Sequence, residues 1–155
     1  MLTLRCYKPD DCHILAALFY DTVHTISRRD YTEEQVNAWA DGKLNLTEWN
    51  LSFRNHNTVI AEKNGNITGF GDMDSDGYLD RLYVHKDYQH QGIATAICDV
   101  LEQNFRGSEI ITHTSVTAKG FFEKRGYKAI KQQQVYRHGI PLINYIMILK
   151  KNFVH

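Results

Sequence analysis

The fold of this chain is most constrained by residues 79–101, LDRLYVHKDYQHQGIATAICDVL, where the hydrophobic pattern changes twice. Residues 79–84 alternate around aromatic and β-branched side chains, which is typical of a strand. Residues 85–89 are polar and indicate a loop. From Ile93 the apolar residues return at helical spacing, so the sequence predicts a strand, a loop and a helix that begins at Gly92.

The loop and helix start at residues 89–94, QHQGIA, have the properties of an anion-binding site. The first turn of a helix leaves backbone N–H groups without partners, and the aligned peptide dipoles place partial positive charge there. Gly92 permits unusual backbone angles and close approach of a ligand, and Ala94 is small enough to leave room. The glycine spacing is neither that of a P-loop nor that of a dinucleotide fingerprint. A strand–helix unit whose loop binds nothing is the alternative.

The rest of the chain predicts a mixed α+β architecture. Asn64-Gly65-Asn66 predicts a hairpin, and Thr32 followed by Gln35 predicts a capping box at a helix start. The order predicts one domain, residues 1–155, with a mixed, mostly antiparallel sheet of about seven strands and helices on both faces. The predicted elements are a strand at 2–7, helices at 9–26 and 32–40, a helical segment capped by Thr47, strands at 58–63, 67–73 and 78–84, the helix from Gly92, a strand at 109–114, a helix at 118–125, and strands at 127–137 and 142–150.

Composition and charge narrow the class of protein. The 155 residues, 43% hydrophobic and 23% charged, suit a soluble domain, and no run of about 18 apolar residues is long enough to span a membrane. Lys plus Arg and Asp plus Glu both number 18, so no basic excess marks a nucleic-acid binder. The first residues carry acids where a signal peptide needs an apolar core. We therefore expect a cytoplasmic protein that binds neither nucleic acid nor a membrane.

The cysteine and acidic patterns do not predict a metal site. Cys6, Cys12 and Cys98 are an odd number and suit reduced thiols in a cytosol better than disulfides. Neither a Cys-x-x-Cys nor a His-x-x-x-His pair occurs in the sequence. Residues 72–77, DMDSDG, resemble the start of a calcium loop, but Tyr83 stands where that loop needs an acid. A hairpin turn is therefore the prediction for this segment.

Two motifs together resemble a known family. Gln89-x-x-Gly92-x-Ala94 is similar to the acyl-CoA pyrophosphate loop of the GNAT acetyltransferases, whose pattern is Gln/Arg-x-x-Gly-x-Gly/Ala. Residues 118–127, AKGFFEKRGY, are similar to that family's Ala-x-x-Phe-Tyr-x-x-x-Gly-Phe segment. The predicted element order also matches the GNAT fold, from about Leu4 to Lys150. The amino-acid sequence around these motifs looks most like that of the YafP-like branch of bacterial GNAT proteins.

The resemblance implies that acetyl-CoA is the acetyl donor and an amine the acceptor. In the family, pantetheine pairs with exposed main chain of the central strand, and the loop that follows holds the pyrophosphate. The corresponding residues expected to contact acetyl-CoA here are Leu82, Tyr83 and Val84 on the strand, Gln89, His90, Gln91, Gly92, Ile93, Ala94 and Thr95 on the loop, and Ser115, Lys119 and Phe122 on the opposite side.

The resemblance also implies catalytic roles. Asp80 lies where family members often carry a general base, and strand alternation puts it on one face with Tyr78, Leu82 and Val84; a surface or salt-bridged carboxylate is the alternative. Phe122 stands where many members have a Tyr that protonates the leaving thiolate. Either Tyr127 or Tyr145 replaces it, or the thiolate leaves unaided, since thiols with a pKa near 8.5 are good leaving groups. Tyr127 also suits a core position.

The acceptor and the assembly state are less constrained. The resemblance places the acceptor near the first helices and the last strands, where the polar-aromatic residues His24, Tyr31, Trp39 and Trp49, with Tyr78, suit a small, partly apolar amine; a core or surface position is the alternative for each. The sequence has no acidic patch that would indicate a polyamine. By analogy with the family, the final strand could form a homodimer. An acetyl-CoA sensing module without turnover and an interaction domain that binds no CoA are the competing functions.

Overall fold

A single seven-stranded sheet organises the computed structural model, which describes residues 1–151. The sheet order is β1-β2-β3-β4-β5-β7-β6. The strands are β1 Leu2–Cys6, β2 Asn57–Lys63, β3 Asn66–Met73, β4 Tyr78–Val84, β5 Glu109–Ser115, β6 Lys128–Arg137 and β7 Ile140–Lys150. The helices are α1 Cys12–Thr25, α2 Glu33–Trp39, α3 Leu46–Asn55, α4 Ile93–Asn104 and α5 Lys119–Lys124, with short 3-10 turns at Pro9–Asp11, Ser27–Arg29 and Lys86–Tyr88.

The sheet is antiparallel except where β4 meets β5. Those two strands are parallel, and they pair only at Tyr78 with Ile111 and at Leu79 with Thr112. Beyond Leu79 the remaining residues of β4 have no partner on the β5 side. The mixed, mostly antiparallel α+β fold is therefore confirmed, and its sheet opens in the middle.

Two hydrophobic clusters cover the two faces of the sheet. Helices α1, α2 and α3 bury Leu15, Val36 and Phe53 against one face. Helices α4 and α5 bury residues that include Ile97 against the other. A Cβ on Gly71 of β3 would lie 2.8 Å from Cγ2 of Ile97, so only glycine lets α4 approach β3 this closely. This packing fixes where the first turn of α4 lies.

Local signals placed most element boundaries correctly. The Thr32 hydroxyl accepts from the N–H of Gln35 and the Gln35 side chain accepts from the N–H of Thr32, which confirms the predicted capping box. Asn64 and Gly65 have φ of 54° and 79° and form the predicted hairpin turn.

Two predicted boundaries were wrong. Helix α3 is capped by Asn45, whose side chain accepts from the N–H of Glu48 at 3.1 Å, and not by Thr47, because Asn is the stronger N-cap residue. In the last hairpin only His138 and Gly139 form the turn, with φ of 50° and 76°, so β7 begins at Ile140 rather than two residues later.

A β-bulge at Asp80 interrupts β4. Asp72 of β3 lies opposite Arg81, but the next residue, Met73, lies opposite Leu79, so Asp80 is an extra residue in the ladder. A bulge turns the strand and re-aims the side chains that follow it.

Because of the bulge, the predicted alternation of Tyr78, Asp80, Leu82 and Val84 on one face is wrong. Leu82 and Val84 pack with the cluster beneath α4. Tyr78 and Asp80 instead share the lining of a cavity on the side of α1 to α3. Asp80 is thereby presented where helices and sheet leave an opening.

Candidate active site

The main cleft lies between β4, β5 and the first turn of α4, and its volume is about 510 Å³. It occupies the opening where β4 and β5 are unpaired. Of the residues that the sequence assigned to acetyl-CoA, those lining the main cleft are Leu82, Tyr83, Val84, Gln89, His90, Gly92, Ile93, Ala94, Thr95, Ser115 and Phe122.

The first turn of α4 forms one end of the main cleft. Gly92 is the N-cap with φ of 79°, and His90 is also left-handed with φ of 61°. The N–H of Ala96 bonds the carbonyl of Gly92 at 3.0 Å, so the N–H groups before it are the unpaired donors of a helix start. A Cβ on Gly92 would meet no atom within 4 Å. This turn therefore offers an open set of donors suited to phosphate oxygens.

The side chain of Gln89 holds the loop to the end of β4. Its Nε2 donates to the carbonyl of Val84 at 2.8 Å, and the hydroxyl of Thr22 donates to the same oxygen at 3.0 Å. Gln89 thus stabilises the loop from within, leaving main-chain groups to face a ligand. Thr22, which also lines the main cleft, was missed because α1 is distant in sequence.

Gln91 and Lys119 lie outside the main cleft. The side-chain oxygen of Gln91 accepts from Nζ of Lys63 at 2.9 Å, on the β2 side of the loop. Nζ of Lys119 lies 4.7 Å from the centre of the Tyr145 ring and 3.9 Å from Glu123. Their predicted contacts with acetyl-CoA gain no support from these positions.

The main chain of β4 is exposed to the main cleft at alternate residues. The N–H of His85 bonds the carbonyl of Thr68 at 2.8 Å, which fixes the phase of the β3–β4 ladder. In an antiparallel ladder the direction of the main-chain groups alternates. The groups of Tyr83 therefore face β3, whereas the N–H groups of Leu82 and Val84 face the cleft. Tyr83 contributes its ring to the lining rather than the main-chain pairing that was expected.

Two buried hydroxyl groups in the lining of the main cleft have no hydrogen-bond partner among residues 1–151. They belong to Thr114, at the end of β5, and Thr117, in the turn after it. Buried polar atoms are normally paired, so each of these is suited to a polar group of a ligand. Both lie beside the cleft that the family resemblance assigns to acetyl-CoA. Nothing in the local sequence distinguished these threonines.

A side cavity of about 350 Å³ adjoins the main cleft. The walls that the two share are Trp39, Asp80, Tyr83, His113 and Ser115. Further into the side cavity the lining combines aromatic residues, Phe19, Tyr31, Trp49 and Tyr78, with aliphatic residues and with Arg81, Arg137 and Asn144. His113, whose ring centre lies 5.3 Å from that of Tyr78, was not foreseen from the sequence.

Three of the four predicted acceptor residues, Tyr31, Trp39 and Tyr78, line the side cavity. The hydroxyl of Tyr31 donates to the carbonyl of Ile143 at 2.6 Å and accepts from the N–H of Val116 at 2.9 Å. Burial raises the pKa of both Tyr31 and Tyr78. His24 lies elsewhere: its ring stacks on Tyr20 and its Nε2 lies 2.7 Å from the carbonyl oxygen of Ala40.

Asp80 is the predicted catalytic residue that the structure places at the junction. Its side chain is 31% exposed, and its Oδ2 lies 3.5 Å from Nη2 of Arg81. It has no other hydrogen bond or ion pair within residues 1–151. A carboxylate with one free oxygen beside both cavities is positioned to accept a proton from a bound amine.

The two tyrosines considered as acids lie outside both cavities. Tyr127 is buried and donates its hydroxyl hydrogen to Glu102 at 3.0 Å; burial raises its pKa. Tyr145 packs in the cluster beneath α4 and α5, under the amine of Lys119. Phe122, which has no proton to donate, is the residue of this set that does reach the main cleft.

A network of charged side chains lies behind Asp80. Asp72 of β3 is fully buried, and its Oδ2 lies 2.8 Å from Nδ1 of His56 and 2.5 Å from Nη1 of Arg81. Arg81 also donates to the hydroxyl of Ser52 at 2.8 Å, and its guanidinium lies over the ring of Phe53. His56, Asp72 and Asp80 place donor atoms within 4.8 Å of one another. Arg81 contacts both carboxylates, so the cluster is joined by an ion-pair network.

The three cysteines are free, and no helix among residues 1–151 is both long and apolar enough to cross a membrane.

Comparison with known proteins agrees with this geometry. The family model described as Acetyltransferase (GNAT) domain matches residues 27–149. The uncharacterized N-acetyltransferase YafP of Escherichia coli (strain K12) is 30% identical over 149 residues, covering 96% of each chain.

Solved structures give the same result. A crystal structure of a GCN5-related N-acetyltransferase (Aminotransferase, Class-II) from Rhodopseudomonas palustris has a TM-score of 0.92 at 31% identity and covers 96% of this chain and 95% of its own. The PaiA N-acetyltransferase of Thermoplasma acidophilum, solved in complex with coenzyme A, has a TM-score of 0.77 at 16% identity and covers 97% and 99%. This chain therefore belongs to the GNAT family and is an acetyltransferase.

Proposed function

We propose that this enzyme transfers the acetyl group of acetyl-CoA to the primary amine of a small, partly apolar molecule, with Asp80 as general base. The observation that carries this proposal is the meeting of two cavities at Asp80. One has the donors that a CoA chain needs, and the other has several aromatic side chains in its lining. A donor and an acceptor bound in these cavities would meet beside the carboxylate.

In this arrangement the main cleft binds acetyl-CoA. The N–H groups at the start of α4 contact the pyrophosphate, and Leu82 and Val84 pair with pantetheine as an added strand would. The hydroxyls of Thr114 and Thr117, unpaired in the lining, bind its amide groups. One of the β4 N–H groups polarises the thioester carbonyl as its oxygen gains negative charge.

Asp80 makes the amine reactive. An ammonium group is not a nucleophile, so one proton passes from it to the Asp80 carboxylate before nitrogen attacks the thioester carbon. The bond from carbon to sulfur then breaks, and CoA leaves as a thiolate that takes up the second nitrogen proton. Because thiols are good leaving groups, no tyrosine acid is needed. That agrees with Phe122 in the main cleft and with a Tyr127 hydroxyl already bonded to Glu102.

The aromatic walls of the side cavity favour an acceptor with an apolar body. Trp39, Trp49 and Tyr78 provide flat surfaces, and the volume of about 350 Å³ suits a small molecule rather than a peptide chain. Localisation in the cytoplasm, expected from the composition and the cysteine pattern, and a homodimer, expected by analogy with the family, are further parts of the proposal.

An acetyl-CoA sensing module is the second candidate, favoured by the phenylalanine at position 122 in the main cleft. Such a module would bind acetyl-CoA but acetylate no amine. Activity with any amine therefore separates the two.

Calorimetric titration with acetyl-CoA, followed by a panel of apolar primary amines, tests the proposal. We expect the parent protein to bind and to turn over, and Gly92→Trp to lose binding because a large side chain would fill the open space at the helix start. Asp80→Asn should retain acetyl-CoA affinity but lose about 10²-fold or more in kcat. Asp76→Asn, at the exposed β3–β4 turn, is the matched control.

The outcomes distinguish the candidates. Binding without turnover of any amine by the parent protein would leave the sensing module. Full activity of Asp80→Asn would remove Asp80 as the base but leave the transferase. Absence of acetyl-CoA binding by the parent would contradict both functions.

A further inference from the structure

The buried pair of His56 and Asp72 is the most unusual charged feature outside the two cavities. A fully buried carboxylate is unfavourable unless it is paired, and a single oxygen of Asp72 contacts both the guanidinium of Arg81 and the imidazole of His56. Its other oxygen, Oδ1, has no hydrogen-bond partner within the described chain. A purely structural pair would be expected to satisfy both oxygens. The arrangement therefore calls for a further explanation.

His56 connects the buried carboxylate to both Asp80 and solvent. It caps the C-terminus of α3, its side chain is 18% exposed, and its Nδ1 is 2.8 Å from Asp72. A ring nitrogen of His56 and a carboxylate oxygen of Asp80 lie within 4.8 Å, a distance short enough for a single water molecule to span. The charged groups that reach His56 are Asp72 on β3 and Asp80 and Arg81 on β4.

The proposed reaction gives such a connection a use. At neutral pH an ammonium substrate and acetyl-CoA give an amide, the CoA thiol and one released proton. The thiol retains one of the two protons that nitrogen loses, and Asp80 receives the other. Asp80 must release that proton before the next turnover, and Arg81, which is permanently charged, is unable to accept it.

We propose that His56, held and charge-balanced by Asp72, accepts the proton from Asp80 after each acetyl transfer and releases it to solvent. His56 is a positioning and proton-transfer residue, since it reaches the substrate only through Asp80. This inference rests on the proposed function. The proton moves from the Asp80 carboxyl oxygen to a neutral His56 nitrogen, and no other bond changes.

The first test is the pH dependence of kcat/KM in the parent enzyme. A neutral His56 is required, so activity should rise with pH through the pKa of this imidazole. The hydrogen bond to Asp72 raises the pKa of His56 above its ordinary value of 6.5, which places this limb on the alkaline side of that value. A parent profile without such a limb would overturn the proposal before any variant is made.

The second test uses His56→Gln, which keeps a polar side chain of similar length but does not take up a proton. We expect kcat to fall about tenfold or more and the limb to disappear, while the KM for acetyl-CoA changes less than about twofold. Added imidazole should restore part of the activity of His56→Ala. His13→Gln, an exposed histidine on α1, should behave as the parent does.

The variants separate proton transfer from a structural role. If His56→Gln keeps the kcat and pH limb of the parent, the proposal is overturned. It is also overturned if activity falls but the limb persists and imidazole has no effect on His56→Ala, since those results indicate a structural role. Absence of turnover by the parent contradicts the proposed function itself, whereas turnover with a parent-like His56→Gln contradicts this inference alone.

Discussion

Gln89 and Val84 are joined by a hydrogen bond of 2.8 Å from the side-chain amide of the first to the carbonyl of the second. This bond connects the first residue of the loop motif to the last residue of β4, so the start of α4 has a fixed position relative to the exposed strand edge. The role of Gln89 in the motif is therefore to hold the loop in place through this hydrogen bond. The open N–H groups near Gly92 are the ones left to contact a ligand.

Replacing Gln89 by Met should therefore weaken acetyl-CoA binding although its side chain is not needed for direct contact. The substitution removes one of two donors to the Val84 carbonyl, at an expected penalty of about 1–2 kcal/mol in binding, or roughly tenfold in Kd. Calorimetric titration measures this change. Gln103→Met, at an exposed position near the end of α4, is the control. An unchanged Kd would show that the loop is held in place without this bond.

Replacing Thr114 by Val should separate ligand binding from stability. Its hydroxyl is buried and unpaired, so the loss should leave the free energy of unfolding unchanged or raise it slightly, whereas acetyl-CoA affinity should fall several-fold. The matched control is Thr112→Val. The Thr112 hydroxyl donates to the carbonyl of Leu79 at 2.9 Å, so its removal should lower the free energy of unfolding by about 1 kcal/mol. Urea unfolding and calorimetry measure the two effects. Equal losses of stability would contradict the assignment of Thr114 to a ligand.

The pair of His56 and Asp72 should make stability depend on pH. The hydrogen bond to Asp72 raises the pKa of His56, so the folded state binds a proton more tightly than the unfolded chain. The resulting stabilisation is fully present below the unfolded pKa of about 6.5 and is lost as pH rises through the higher folded value. We expect His56→Gln to lower the free energy of unfolding more at about pH 6 than at about pH 9.

Urea unfolding of the parent and His56→Gln at the two pH values measures this difference. His13→Gln again serves as the control, because His13 has an exposed side chain on α1. A penalty that is the same at both pH values would mean that His56 does not gain a proton in the folded protein.

Much of the fold could be predicted because its signals are local. The change of hydrophobic period across residues 79–101, the capping box at Thr32 and the Asn64-Gly65 turn each depend on a few neighbouring residues. The bulge at Asp80 could not be predicted, because the register of β3 against β4 decides it. That one extra residue reversed the assignment of side chains to faces.

The candidate site was predictable where a motif defines it and not where distant elements meet. Gly92 and its helix start follow from the loop sequence, but Asp72 and His56 come together from β3 and the end of α3. Likewise, the free hydroxyl of Thr114 depends on which neighbours surround it rather than on its sequence context. Burial and pairing in three dimensions decide these features, and no periodic pattern records them.

Replacing Tyr31 by Phe should affect the acceptor without affecting acetyl-CoA. The hydroxyl joins the carbonyl of Ile143 on β7 to the N–H of Val116 beyond β5, and so fixes one wall of the side cavity. Loss of both bonds leaves two backbone groups unpaired, which costs about 1–3 kcal/mol in stability and should raise the KM of the amine several-fold. Because burial raises the pKa of Tyr31, the phenol stays protonated at neutral pH and the effect should not depend on pH there.

Steady-state kinetics with the best amine of the panel, together with calorimetry for acetyl-CoA, would measure the effect of Tyr31→Phe. Tyr136→Phe is the matched control, since Tyr136 is 62% exposed on β6 and its hydroxyl contacts only Gln134 among the described residues. A rise in the Kd of acetyl-CoA equal to the rise in the amine KM would show that the two cavities do not bind separate substrates. A change confined to the amine would support the division of the site at Asp80, because Tyr31 lines the side cavity and not the main cleft.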